Sequence, residues 1–359
     1  MSERTTHTKP SERPAAPAGE RFGWGAAHRA LEIAIVGATG AVGRELADIL
    51  FDARHPAEKI AATARRASEI ELPRARRLSV RPLESELARS AHWDLAFLCT
   101  PSELSLELAP KLVEAGVRVI DLSSAHRMLP LVPLIVPEIN GGELASDARL
   151  IANPNCTTAI AAMPLAVIDR AAELEEVVIV SFQAASGAGL AGLQTLAHEA
   201  GRNASGAPPV ASPFPSVLAL NVIPAVADVG ADGTSGEERK VIDETRRILA
   251  RPELVVEVTT TRVPVERCHS VAVHVKTRRD LSPERLRELL QAAPGIALTD
   301  DAHGPRPREC AGTDPVHVGR IRRGTRGSRS LCFFAVGDQL RKGAALNALQ
   351  IAASLPAKR

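Results

Sequence analysis

Apolar and polar positions alternate between two spacings along the first half of the chain. Leu31 to Val36 (LEIAIV) is a short run rich in β-branched residues, and the RELADILFDA stretch behind it spaces its apolar residues as a helix does. A second short strand is predicted over about Lys59 to Ala64. DLAFLC (Asp94–Cys99) reads as a buried strand, SELSLELAPKLVEAG as an amphipathic helix and VRVID (Val117–Asp121) as a further strand. Strands and helices alternating at this length imply right-handed βαβ units and a parallel sheet, with ligands gathering at the carboxyl ends of the strands, where Thr100 and Ser123–Arg127 fall. Leu150 to Ala152 ends another strand, Asn153–Pro154–Asn155 makes a turn, and Cys156 opens an apolar helix. A first domain is therefore expected over 31–155 and a second over 156–335. ADVGADGTSG (Ala227–Gly236) and the Pro- and Arg-rich Ala302–Arg308 read as loops.

At 359 residues the chain can hold two domains. With 3% aromatic residues and no Tyr, its cores must rest on Ala, Leu, Val and Ile. A net charge of +2 gives no reason to expect nucleic acid or an anionic membrane as partner. No apolar run reaches the roughly 18–20 residues of a membrane span. Five scattered cysteines make neither a disulfide framework nor a zinc site, so no metal and a reducing cytoplasm are expected. Residues 1–30 lack periodicity and the apolar core of a secretory signal, and are expected to be a disordered tail; the Arg content leaves organelle targeting open.

Gly37, Gly40 and Gly43 of GATGAVG lie between the first strand and its helix. Residues without a Cβ there let backbone N–H groups approach a pyrophosphate at a helix N-terminus. The second strand ends in Thr63–Ala64–Arg65–Arg66. Two guanidinium groups and no carboxylate favour a 2′-phosphate, hence NADP over NAD; the competing reading is a solvated basic loop. Cys156, at a helix N-terminus, faces unpaired N–H groups that favour thiolate, although a small buried helix-start cysteine would look the same. His269 lies seven residues after Arg262 in a segment that alternates like a strand, and odd separations point to opposite faces. Either a bend near Pro264 brings both into one site, or one of them is structural. Glu237 and Lys240, three apart in a helical stretch, can face one cleft.

These segments, in order, resemble the aspartate-semialdehyde dehydrogenase family over nearly the whole chain from about Leu31: GATGAVGREL, VIDLSSAHRM, LIVPEIN, IANPNCTT, VSFQAASGAGLAG, NVIPAV, SGEERKVIDETRRIL, TRVPV with HS, VGRIR and LRKGAALNALQIA. The resemblance implies an N-terminal Rossmann-type NADP-binding domain with a parallel sheet, an α+β catalytic and dimerisation domain, and a last helix (339–355) that packs back on the first. It implies a homodimer that reduces L-aspartyl-4-phosphate to aspartate 4-semialdehyde with NADPH, releasing phosphate, on the route to lysine, methionine and threonine. Cys156 would form the thioacyl enzyme, with His269 as acid/base and Gln183 orienting the substrate. Arg262 would pair with the α-carboxylate and Glu237 with the α-ammonium, while Lys240, Arg127 and Asn155 would hold phosphate. Gly37, Thr39, Gly40, Ala41, Val42, Arg65, Arg66, Ser186, Gly187 and Gln339 would contact the cofactor. The related N-acetylglutamyl-phosphate reductases usually carry Gly-Cys-Tyr at the nucleophile and are the alternative, beside a non-catalytic paralogue and a phosphate-independent aldehyde dehydrogenase. Three departures stand out: Thr100–Pro101–Ser102 where the family usually has glycines, Cys268 for the usual Gly before His-Ser, and Gln339 for Asn. A Cβ at Cys268 restricts the backbone if its φ is positive.

Overall fold

The computed structural model describes residues 22–205 and 211–355. The first sheet takes the strands β1 Ile33–Val36, β2 Ile60–Ala64, β3 Ser68–Leu72, β4 Arg76–Pro82, β5 Leu95–Leu98, β6 Arg118–Asp121 and β7 Leu150–Ala152 in the order β3-β4-β2-β1-β5-β6-β7. All pairs are parallel except the β3–β4 hairpin, which extends one edge. β1 and β5 are buried along their whole length because both faces are covered. Ile33, Ile35 and Phe97 face the helices Ala41–Asp52 and Leu346–Ser354, while Ala34, Val36 and Leu98 face the helix Ser102–Glu114. The helix Leu346–Ser354 thus closes the core of the first domain from the far end of the chain.

This core reaches back before Leu31. Phe22 packs against it, Trp24 is wholly buried in it, and a short helix runs over Ala26–Arg29. Trp24 stacks on His28 with ring centroids 5.0 Å apart. The apolar bulk of Phe22 and Trp24 draws this segment into the fold, so a tail running to residue 30 is too long; residues 1–21 lie outside the described residues.

The second sheet takes β8 Leu174–Gln183, β9 Val255–Arg262, β10 His269–Thr277, β11 Ile296–Leu298, β12 Val316–Arg323 and β13 Ser330–Gly337 in the order β11-β12-β13-β10-β8-β9. One face, with Val177, Ile179, Val271, Val273 and Phe333, packs on the helices Cys156–Ala172, Gly236–Ile248 and Pro283–Ala292. β8 lies between β9, parallel to it, and β10, antiparallel, with Gln183 opposite Arg262 and Phe182 opposite Ser270. The end of β8, the end of β9 and the start of β10 therefore lie side by side. Among the described residues no helix is long and apolar enough to cross a membrane, and no group of three or more His, Cys, Asp or Glu is placed to hold a metal ion.

Candidate active site

Asn155 caps the helix Cys156–Ala172: its side-chain oxygen accepts from the N–H of Thr157 at 2.9 Å and of Thr158 at 3.2 Å. Cys156 is the first helical residue and keeps some exposed surface. Burial is nonetheless the largest influence on its thiol, and with the Glu237 carboxylate it pushes the pKa up to about 12. Arg127, Arg262 and the Thr157 N–H pull the other way and lose. Burial therefore opposes the thiolate that the helix terminus favours.

A buried polar ring surrounds the cysteine. Gln183 Nε2 donates to Thr157 Oγ1 at 3.0 Å and to Glu237 Oε1 at 3.3 Å, and Asn155 Nδ2 donates to the same Glu237 oxygen at 2.8 Å. Lys240 reaches Glu237 Oε2 at 3.5 Å from the rim, with 38% of its side chain exposed. Arg127 donates from Nε to the Asn153 carbonyl, from Nη2 to the Leu122 carbonyl and from Nη1 to Glu244.

Arg262 and His269 come together because the chain crosses over the end of β8 between them. The Ala184 carbonyl accepts from Arg262 Nη1 at 2.7 Å, and the Ala184 N–H donates to His269 Nδ1 at 3.1 Å. Both groups crowd Gly187, where an added Cβ would sit 2.5 Å from Arg262 Nη1 and 3.0 Å from His269 Cε1. The bend near Pro264 is thus the alternative the fold adopts. His269 is fully buried, and burial with the Arg262 charge beside it holds its pKa well below the usual imidazole range. The ring is neutral, its Nδ1 lone pair is taken, and its proton therefore sits on Nε2, for which the described residues offer no partner. Sequence reasoning passed over Phe214, whose ring lies 5.7 Å from the Arg262 guanidinium carbon. It also passed over Glu244, although its place seven residues after Glu237 puts both on one helix face.

The side where the sequence predicts a cofactor is built from backbone. Gly37 has φ +90°, and a Cβ there would run into the Cys99 carbonyl; one on Gly43 would run into the Gly37 carbonyl. Gly37 and Ala38 both donate to the Thr63 carbonyl at 2.9 Å, which fixes the turn against β2. Gly40 supplies no side-chain cap to the helix Ala41–Asp52, so the N–H groups around Thr39, Ala41 and Val42 stay free for an anion. Arg65 and Arg66 are exposed just beyond β2. A cavity of about 250 Å³ joins the two sides and is lined by Val42, Thr100, Arg127, Cys156, Gly187 and Gln339 among others. Cys268 does have a positive φ, +75°. Gln339 braces this strained residue, accepting from its N–H at 2.7 Å and donating to Ser186 Oγ, so Gln339 and Ser186 hold the His269 loop as well as facing the cavity.

Residues 32–147 match the family model described as semialdehyde dehydrogenase, NAD binding domain, and residues 165–342 the one described as semialdehyde dehydrogenase, dimerisation domain. The aspartate-semialdehyde dehydrogenase of Synechocystis sp. is 35% identical over 327 residues, covering 90% of this chain and 96% of that one. That of Aquifex aeolicus is 37% identical over 328 residues, covering 89% and 96%. The crystal structure of aspartate semialdehyde dehydrogenase II from Vibrio cholerae superposes with a TM-score of 0.84 at 34% identity, covering 90% of this chain and 97% of that one. With both domains matched in order and relatives aligned almost end to end, the chain is an oxidoreductase that belongs to the aspartate-semialdehyde dehydrogenase family.

Proposed function

We propose that the enzyme interconverts L-aspartyl-4-phosphate and aspartate 4-semialdehyde with NADP(H) through a thioester on Cys156, acting as a homodimer. The observation that carries this reading is the convergence of Cys156, Gln183, Glu237, Arg262 and His269 from five separate segments on one buried site. Cys156 attacks the acyl carbon, the C–S bond forms as the bond to phosphate breaks, and the thiol proton leaves with the phosphate, a strong acceptor beside a thiol whose own pKa is high. Arg127, with Asn155 and Lys240 at its side, receives the phosphate. Arg262, which donates to the Ala184 carbonyl and lies beside the Phe214 ring, presents its remaining N–H groups to the α-carboxylate. The Glu237 carboxylate meets the α-ammonium. His269 contributes Nε2–H, a neutral donor that no protein group takes among the described residues and that can serve the oxygen on which charge develops, which favours its acid role. The uncapped helix start behind Gly37 and Gly40 fits a pyrophosphate, and Arg65 and Arg66 a 2′-phosphate. The nicotinamide, when bound, supplies the hydride that takes the thioester to the aldehyde.

The test follows NADPH formation from aspartate semialdehyde with and without phosphate. Phosphate-dependent turnover is expected, falling by about 10⁴-fold or more in Cys156→Ala. No turnover from folded wild type would overturn the reading, and N-acetylglutamate semialdehyde would be the next substrate to try.

A further inference from the structure

Glu244 takes no part in the chemistry above, yet it is the most committed carboxylate of the site. It is 1% exposed on the helix Gly236–Ile248. Its Oε1 accepts from Arg127 Nη1 at 3.0 Å, and its Oε2 accepts from the backbone N–H of Asn155 at 2.6 Å. The first partner is the arginine expected to take phosphate; the second is the residue immediately before the nucleophile. They lie on different segments, and Glu244 ties them to each other. The Asn155 N–H precedes the helix ladder and would otherwise be a buried donor without an acceptor. Of the five guanidinium N–H groups of Arg127, Asn153, Leu122 and Glu244 take three. One N–H on each terminal nitrogen is left, in a side chain that lines the Cys156 cavity. Three residues on, Arg247 donates to the carbonyls of Arg127, Leu129 and Val132, so the same helix also grips the loop that carries Arg127.

We propose that Glu244 is a positioning residue: by holding Arg127 and the Asn155 backbone on one carboxylate, it sets the phosphate subsite at a fixed place relative to Cys156. The inference rests on the phosphate-dependent reading above. Two charge-assisted bonds in a buried site hold two main-chain segments in register, and small errors of register at a reacting centre are costly. Glutamine has the same shape but only one acceptor oxygen. In either orientation its NH₂ faces a donor, either Arg127 or the Asn155 N–H.

The test compares wild type with Glu244→Gln in two assays. In turnover, the KM for phosphate is expected to rise about tenfold or more, while the KM for aspartate semialdehyde stays within about threefold. In the second, inorganic phosphate protects Cys156 from iodoacetamide, read by mass spectrometry of the Cys156 peptide. The phosphate concentration for half-protection should rise by the same factor. A folded Glu244→Gln protein with unchanged phosphate KM and unchanged half-protection overturns the proposal, because a merely structural role would lower stability without singling out phosphate. Should Glu244→Gln fail to fold, Glu244→Asp replaces it. Aspartate keeps the charge but is about 1.5 Å short, so it can satisfy one partner only; the same phosphate-selective shift is expected, and its absence overturns the proposal. If wild type shows no phosphate-dependent turnover, the proposed reaction fails, and the protection assay alone decides the role of Glu244.

Discussion

The two walls of the cavity beside Cys156, which the proposed reaction makes a cofactor wall and an acyl wall, are made of different material. The cofactor wall is backbone: uncapped N–H groups, a glycine at φ +90° and two exposed arginines at its edge. The acyl wall is side chain: Gln183, Glu237, Glu244, Arg127 and Arg262 are all buried and already hydrogen-bonded to one another or to the main chain. A backbone wall fails when a Cβ is added and otherwise tolerates change. A side-chain wall fails when reach or charge changes, because each group is the partner another depends on. The acyl wall is also dry, and burial there raises the Cys156 pKa and lowers that of His269, whereas Arg65 and Arg66 at the edge of the other wall are exposed.

The dryness of the acyl wall gives the largest expected effect. With the Cys156 pKa near 12, the thiolate fraction of the free enzyme should rise about tenfold per pH unit, since below the pKa each unit adds a factor of ten. Alkylation of the Cys156 peptide by iodoacetamide should then accelerate by about a thousandfold between pH 7 and pH 10 without levelling off. A plateau near neutral pH would mean that the helix terminus and the two arginines win over desolvation, and the contrast between the walls would collapse.

Gly187 is a place where the acyl wall behaves like the other. Its missing side chain is what lets Arg262 and His269 share a site. Gly187→Ala is expected to lower kcat/KM by about a hundredfold, the scale of an ångström of misplacement, while circular dichroism and the melting temperature stay close to wild type. Activity within about threefold would show that the arginine can swing aside, and that the site is looser than its hydrogen bonds imply.

The two walls also differed in how much of them the sequence disclosed. The glycine turn, its strand and its helix are contiguous, so local pattern was enough to locate them. The turn and helix start around Cys156 were equally local. Arg262 and His269 could not be joined from spacing, because what joins them is the order β10-β8-β9, a property of strand pairing rather than of separation along one strand. Only resemblance linked them beforehand. Glu244 went unnoticed because a carboxylate on a helix of low hydropathy looks solvated; its burial depends on Arg127 and Asn155, from segments 117 and 89 residues away. The hairpin β3–β4 was missed although Ile70, Leu72, Leu78 and Val80 alternate with polar neighbours, because the two strands are short and rich in charge; the anchoring of Trp24 was missed because its segment carries no periodic pattern.

The edge of the cofactor wall gives the smallest effect and the sharpest contrast. Arg65 and Arg66 stand in solvent, so a 2′-phosphate would gain screened, partly hydrated contacts rather than the buried bonds of the acyl wall. Replacing both with serine is expected to raise the KM for NADP by about tenfold and to leave the KM for NAD within about twofold, and added salt should weaken NADP binding more in wild type than in the variant. An equal loss for both cofactors would make the arginines anchors for the pyrophosphate or for the loop itself. No change for either would return them to a solvated basic loop and leave NADP selectivity to the backbone wall, where the hydroxyls of Thr39 and Thr100 would be the next groups to test.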